Sequence, residues 1–593
     1  MRLSLAFIIF LSSLLLVSCN NSPSSTADTT RPNTGQGSDS STDEPILITS
    51  DDPGTATIKV YRNEDSDEED CYIAPRNVNV SLTYQALSRT LSNNQSVCPS
   101  IGDVNLLVIP VHLPGSEEYM TSQVKEDIEK VFFSEDDEDM GFLSVKEFYA
   151  QSSYGKLNFS GEVTDWFDVA QYTDIDSADT MTNTDIYTIL KAAVRWARET
   201  QNIDLADYDA DVDGYIDAVW LVYDHLDFQT EKLLDPSSTI NQTFWNLTGW
   251  DWDSNKTEEE IDEQVKWGHG TSAVSWASFD SMYTSFCEMT ATGAPVLDDL
   301  SSIPLDSHTF IHETGHLLGL DDYYSTDSQT YRPAGCFTMM DQNVGDIDPA
   351  SKMMLGWVTP YVVYGPSEIL IRDSSINDHQ VIVIPSNYDE INDEVERQRN
   401  TGVAASDVKI AFNPFSEYLI VDLYAPTFNN ASDSTATTTI NNRQTGPGKT
   451  GVRIYHADTR IFKFNVIELP NGRVDYRFKK DDYIFNGEHL EDNQAIIMPI
   501  SNNVGQANID INGLLGDELG INFDGFDELR LIEATGTKTF DNGYYMSDAT
   551  LFDTETMPFN MINFGIQFFN GYTMNDGSDF PFTIDVETLK EVI

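Results

Sequence analysis

His312, Glu313 and His316 stand at the spacing H-E-x-x-H within the stretch HETGHLLGLDDYY, residues 312–324. On a helix the two histidines lie one turn apart on one face, so two imidazole nitrogens can take neighbouring corners of a tetrahedral Zn²⁺. Glu313 is offset from such a metal but placed to take a proton from metal-activated water, the work of a general base. Zinc would lower the pKa of that water to about 7 and polarise a carbonyl as a Lewis acid. With 9 histidines and 97 acidic residues among 593, chance supplies roughly 0.02 such spacings per chain. The pattern also continues. Gly319 stands where a helix must stop and turn, and Asp322 occupies the place of a third ligand in the extended motif, with Asp321 its immediate rival. The plain alternative is an amphipathic helix whose histidines are satisfied core groups.

A second constellation lies in DYDADVDGYIDAVWLVYD. Asp209, Asp211 and Asp213 alternate, Gly214 takes the sharp-turn position, and Tyr215 and Asp217 fall at the seventh and ninth places of an EF-hand-type Ca²⁺ loop. The twelfth place is Trp220 inside an apolar run, so the loop feeds a strand and not a second helix. A solvated acidic turn is the other reading.

These residues need elements to hold them. Phe310, Thr314, Leu317 and Leu318 make a mostly apolar stripe at helical spacing that would seat the ligand-bearing helix on a core, with Asp306 or Ser307 as its cap. VNLLVIPVHL from Val104 reads as a buried strand, and Ser122 to Phe133 as a helix. Ser144 to Val163 reads as a helix running into a strand, and Asp185 to Gln201 as a helix backing a mixed sheet. Residues 228–300 are irregular and Trp- and Tyr-rich. His269 there is a spare histidine that competes with Asp322 for the third-ligand place. From Val358 onward short alternating strands separated by turn residues predict a β-rich, sandwich-like region.

Composition narrows the function. With 34 basic against 97 acidic residues the net charge is −63, which argues against nucleic acid or an anionic membrane surface as partner and favours cations. Arg2 precedes an apolar run from Leu3 to Val17, which has the length of a signal h-region rather than of a membrane span. Leu16-Val17-Ser18-Cys19 resembles a bacterial lipobox. That resemblance implies cleavage before Cys19, lipidation of its thiol, and a protein exposed on the bacterial cell envelope, touching the membrane only through the anchor. The remaining Cys71, Cys98, Cys287 and Cys336 are even in number in an oxidising compartment. We expect Cys71–Cys98 and Cys287–Cys336 bridges among the three possible pairings.

Together these features resemble the immune inhibitor A-type zinc metallopeptidases of bacteria. The resemblance rests on HExxHxxGLxDxY at 312–324, SVKEFYAQSSYGKL from Ser144, the DxDxDG-strand unit at Asp209, the MMDxN and SKxxLGW elements at Met339 and Ser351, and GVRIYHAD at Gly451. It covers roughly Val104 to Asp458. It implies an α+β, metzincin-like catalytic domain with a mixed sheet and a zinc helix, followed by β-rich C-terminal domains, with Zn²⁺ and Ca²⁺ as cofactors. It implies secreted endopeptidase activity on protein or peptide substrates. By motif position His312, His316 and Asp322 become zinc ligands, Glu313 the general base and Met340 the floor beneath the metal. Tyr324 aligns with the family tyrosine, which supports the third ligand or the oxyanion, unless it serves packing alone.

The expected organisation is a signal peptide over 1–18, a disordered tether over 19–55, a small module or pro-segment over 56–103, the catalytic domain over 104–360 and the β-rich region over 361–593. The expected function is a surface-anchored zinc endopeptidase. A catalytically silent binding protein on the same scaffold, or a zinc hydrolase of non-peptide substrates, are the alternatives.

Overall fold

The computed structural model describes residues 49–63, 98–435 with interruptions at 117, 136–137, 241, 251–258, 261–265, 268–272, 291–292, 294, 326–329, 387, 405–406, 411 and 413–415, then 446–459, 462–468, 474–477, 494–497, 502, 527–560, 574 and 580–592. The signal peptide, Cys19, most of the tether, Cys71 and His269 lie outside the described residues.

The first strand is β1 (Thr55–Arg62). There follow β2 (Gly102–His112), α1 (Ser122–Phe133), α2 (Val145–Ser152), β3 (Leu157–Val163) and α3 (Asn183–Thr200). Next come β4 (Ala218–Tyr223), β5 (Leu247–Trp250), β6 (Ala273–Ser278) and α4 (His308–Leu317). The strands of this part form one sheet in the order β3-β2-β4-β6-β5, and the two-residue strand Phe167–Asp168 also pairs with β2. All neighbours run parallel except β5, which is antiparallel to β6. The sheet is therefore mixed, with one reversed strand at its edge.

Strand periodicity explains the layers. Leu107, Ile109 and Val111 of β2 point to one face, where Ile186, Ile189, Leu190, Ala193 and Ala197 of α3 cover them. Leu106 and Val108 point to the other, where they join Phe132 of α1, Phe148 of α2 and Phe310, Ile311 and Leu317 of α4. A strand covered on both sides reads as an unbroken apolar run, as VNLLVIPVHL does. The ligand-bearing helix thus lies with α1 and α2 on one face of a parallel core.

Further strands are β7 (Tyr361–Val362), β8 (Ser367–Arg372), β9 (Ile382–Pro385), β10 (Glu417–Tyr424), β11 (Gly451–Asp458), β12 (Leu529–Ile532) and β13 (Phe582–Lys590), with α5 (Tyr388–Asn400) between β9 and β10, besides a small separate sheet of Phe462–Glu468, Val474–Arg477 and Gln494–Ile497. A five-stranded sheet runs β7-β9-β10-β11-β12 and a three-stranded one β8-β1-β13. Leu419, Val421 and Leu423 of β10 meet Ala56, Ile58 and Val60 of β1 in one apolar cluster between the sheets. The alternate residues Tyr418, Ile420 and Tyr424 turn the opposite way and join the core that contains α4.

Three expectations meet a different arrangement. The segment expected to open a separate N-terminal module enters the C-terminal part, because β1 pairs antiparallel with β8 and β13 and gives its apolar face to their core. Helix α5 stands in a region read as strands. It buries only Ile391 and Val395, one turn apart, a pattern too sparse to stand out among alternating strands. No bridge joins Cys287 to Cys336. Cys98, Cys287 and Cys336 are buried free thiols, Cys287 donating to Thr284 O at 3.6 Å and Cys336 lying in a left-handed turn (φ 63°) beside Asp341.

Candidate metal centre

Helix α4 begins where the Asp306 carboxylate accepts from His308 N at 3.1 Å, so of the two expected caps the aspartate makes the bond. It ends in a complete Schellman turn. Gly319 takes φ 93°, its N–H donates to His316 O at 2.9 Å, and Leu320 N–H donates to Gly315 O at 3.1 Å. That turn has two results. It brings Leu320 O to His316 Nδ1 at 2.9 Å, and it returns the chain so that Asp322 faces the histidines. His312 Nδ1 in turn lies 2.8 Å from Met339 O.

A carbonyl only accepts, so both Nδ1 atoms carry their protons and both Nε2 atoms of neutral rings present lone pairs. Those Nε2 atoms lie 3.1 Å (His312) and 3.3 Å (His316) from Asp322 Oδ1. Two lone-pair nitrogens and a carboxylate oxygen at such distances repel one another unless positive charge sits among them. Without a cation among them, a protonated imidazole has to supply that positive charge. Burial alone would raise the Asp322 carboxyl, yet the imidazoles hold it well below the usual carboxylate range. Burial lowers His316, and Asp322 overcomes this to bring it to about 10. The N₂O donor set, with each histidine's far nitrogen fixed on a carbonyl, fits Zn²⁺.

The floor is equally defined. A methyl group at Gly315, between the two histidines, would fall 2.4 Å from Met340 Sδ and 3.3 Å from the Tyr149 hydroxyl. Tyr149 donates to Ile311 O at 2.7 Å, and Tyr323 N–H donates to Met340 O at 2.8 Å. The methionine turn therefore packs directly under α4 and is laced to the segment carrying Asp322. Tyr324 hydrogen-bonds to Asp322, and burial pushes its phenol up, which keeps it a donor. The Arg332 guanidinium lies 5.5 Å from its ring centroid and bonds Asp341 at 3.3 Å. Asp321 accepts Asp322 N–H at 3.0 Å and stays outside the three-residue cluster.

Glu313 is 6 % exposed, and burial pushes its carboxyl up against the pull of His316 and His312. It has a partner that the spacing of the motif could not reveal. Thr248, on the reversed edge strand β5, places its hydroxyl 3.0 Å from Glu313 Oε2. The sequence carries no cue to it, since residues 228–300 read as irregular.

The acidic loop is a separate cluster. Asp209, Asp211 and Asp217 bring carboxylate oxygens within 4.8 Å of one another, while Asp213 stays outside the group and accepts Tyr215 N–H at 2.9 Å. Asp209 accepts from Asp213 N and Gly214 N, each at 3.0 Å, and Gly214 takes φ 89°.

Residues 111–230 match the sequence model of the family described as immune inhibitor A peptidase M6, catalytic domain. The match runs from β2 through the acidic loop to the segment after β4. It ends before α4, so it supports a metallopeptidase function independently of the HExxH spacing. No curated protein matches the chain.

Proposed function

We propose that this chain, with its peptidase M6 catalytic domain, is a zinc-dependent endopeptidase that hydrolyses extracellular proteins from a lipid-anchored position on the cell envelope. The observation that carries the reading is the meeting of His312 Nε2, His316 Nε2 and Asp322 Oδ1 beside a buried Glu313. These three residues would hold Zn²⁺, which would supply Lewis acidity toward a peptide carbonyl and toward water. Glu313 takes the proton of the attacking water on its carboxylate and passes it to the leaving amine. Tyr324 steadies the Asp322 carboxylate, and Met340 holds the helix at the height the ligands require. Among the described residues β5 is paired on one side only, so its other edge can receive an extended peptide by main-chain hydrogen bonds next to Glu313.

The remaining parts of the reading extend it. The β-rich part, with two of its sheets around a shared apolar cluster, forms a sandwich behind the metzincin-like domain. Asp209, Asp211 and Asp217 would hold Ca²⁺ in their loop. Cys19 carries the lipid; membrane fractionation of Cys19→Ala tests this, and unchanged membrane association removes the anchor.

Digestion of a peptide library with and without a chelator tests the activity. Glu313→Gln should keep zinc at wild-type stoichiometry and lose at least about 10²-fold in kcat. Cleavage by that variant at the wild-type rate would leave a binding protein or a different hydrolase as the better reading.

A further inference from the structure

Thr248 and Ser275 are directly opposed residues of the antiparallel pair β5 and β6. Opposed residues share a face, and this face looks onto α4. The Thr248 hydroxyl lies 3.0 Å from Glu313 Oε2, 3.0 Å from Glu313 O and 2.7 Å from Ser275 Oγ. Ser275 is fully buried.

A hydroxyl has one proton to give and two lone pairs to receive with. Of the two Glu313 oxygens in reach, the ionised carboxylate is the stronger acceptor, because the bond to it is charge-assisted. If Ser275 donates to Thr248 Oγ1, the Thr248 proton is released for Glu313, and the three groups form an ordered chain, Ser275 to Thr248 to Glu313 Oε2. A β-branched threonine on a strand has few χ1 choices, so the hydroxyl is a stiff fixture rather than a swinging one.

We propose that Thr248, backed by Ser275, is a positioning residue for the general base. It pins Oε2 and thereby leaves Oε1 as the oxygen that takes the proton from water, with the carboxylate held in one rotamer before and after that uptake. The inference rests on the peptidase reading for its kinetic consequence but on hydrogen bonding alone for its structural one. It also gives the reversed edge strand a second duty. Beyond offering an edge to substrate, β5 sets the base, so substrate seating on that strand and base alignment share one rigid element.

The test uses the full zinc-loaded chain with Thr248→Val, Thr248→Ser and Ser275→Ala. Thr248→Val keeps the shape and β-branching and removes the hydroxyl. A carboxylate out of place by about 1 Å costs around 10²-fold, so kcat should fall by about that factor with KM and zinc affinity little changed. Thr248→Ser should recover most of the loss, and Ser275→Ala should lose severalfold. Crystal structures of wild type and Thr248→Val supply the readout that needs no activity: Glu313 should leave its wild-type rotamer in the variant. An unmoved Glu313, a kcat within twofold of wild type, or a serine variant as poor as valine would overturn the proposal. If no form of the chain cleaves peptides while Thr248→Val still displaces Glu313, the positioning stands and the peptidase reading fails.

Discussion

Both metal-facing histidines are oriented by main-chain carbonyls rather than by carboxylates, His312 by Met339 O and His316 by Leu320 O. Neutral acceptors fix the tautomer without adding negative charge, so in the proposed centre Asp322 is the anionic ligand, with the Glu313 carboxylate beside it. This makes the choice between adjacent aspartates testable. Removing a ligand costs more than the 10- to 100-fold that follows loss of an outer partner. Asp322→Ala should therefore lower zinc affinity by well over about 10²-fold and abolish cleavage. Asp321→Ala, which removes only an acceptor for Asp322 N–H, should stay within about tenfold. Zinc competition against a chelator measures both, and the reverse order would move the ligand to Asp321.

At the scale of elements, α4 is held at both ends and from beneath. Gly319 ends it, and Gly315 lets the methionine turn approach. Gly315→Ala gains about 1 kcal/mol of helix propensity but sets a methyl group 2.4 Å from Met340 Sδ. Overpacking of this kind costs about 1–3 kcal/mol. The variant should melt lower than wild type and bind zinc less tightly, and a higher melting temperature would show that Met340 yields freely. The acidic loop works in the same way at the entry to β4. A cation that binds only the folded chain stabilises it by mass action, so Ca²⁺ should raise the melting temperature of wild type. Asp217→Ala should cancel most of that rise, because Asp217 is 2 % exposed and belongs to the cluster. Asp213→Ala should cancel less. Equal calcium responses in all three would place the ion elsewhere.

Over the whole molecule the expected catalytic and β-rich parts share a core. Tyr418, Ile420, Tyr455 and Leu531 of the five-stranded sheet belong to the cluster that holds Phe310 and Met340. Polar contacts cross the same boundary. His308, at the start of α4, bonds Asp306 on one side and Asp433 at 3.3 Å on the other. Asn429 donates to Asp346 at 3.0 Å, and Arg332 N–H donates to Phe540 O at 3.0 Å. Within the sheet Arg453 Nε donates to Asp422 at 3.0 Å, both groups buried. A chain ending at residue 360 would expose the packing surface of α4 and remove the Asp433 carboxylate from His308. It should show no cooperative melting transition and no stable zinc binding, while the full chain melts the two parts together. A fragment that melts cooperatively with zinc bound would mean that the shared core is dispensable.

What the sequence determined by itself is local. The i, i+4 histidines, the helix-ending glycine and the aspartate beyond it are written in one stretch because one helix and one turn build that side of the site. Helical and strand periodicities likewise placed α1, α3, β2 and β4 within a few residues, since each buries a face whose period is visible along the chain. What tertiary structure decided is which distant segments meet. Thr248 reaches Glu313 only because β5 reverses direction at the sheet edge. Met340 lies under Gly315 only because a loop beyond Asp322 folds back. The strand at Thr55–Arg62 closes a sheet with residues near the C-terminus. Pairings across tens or hundreds of residues leave no period in the chain, because they are chosen by the fit of two surfaces and not by the spacing within either one.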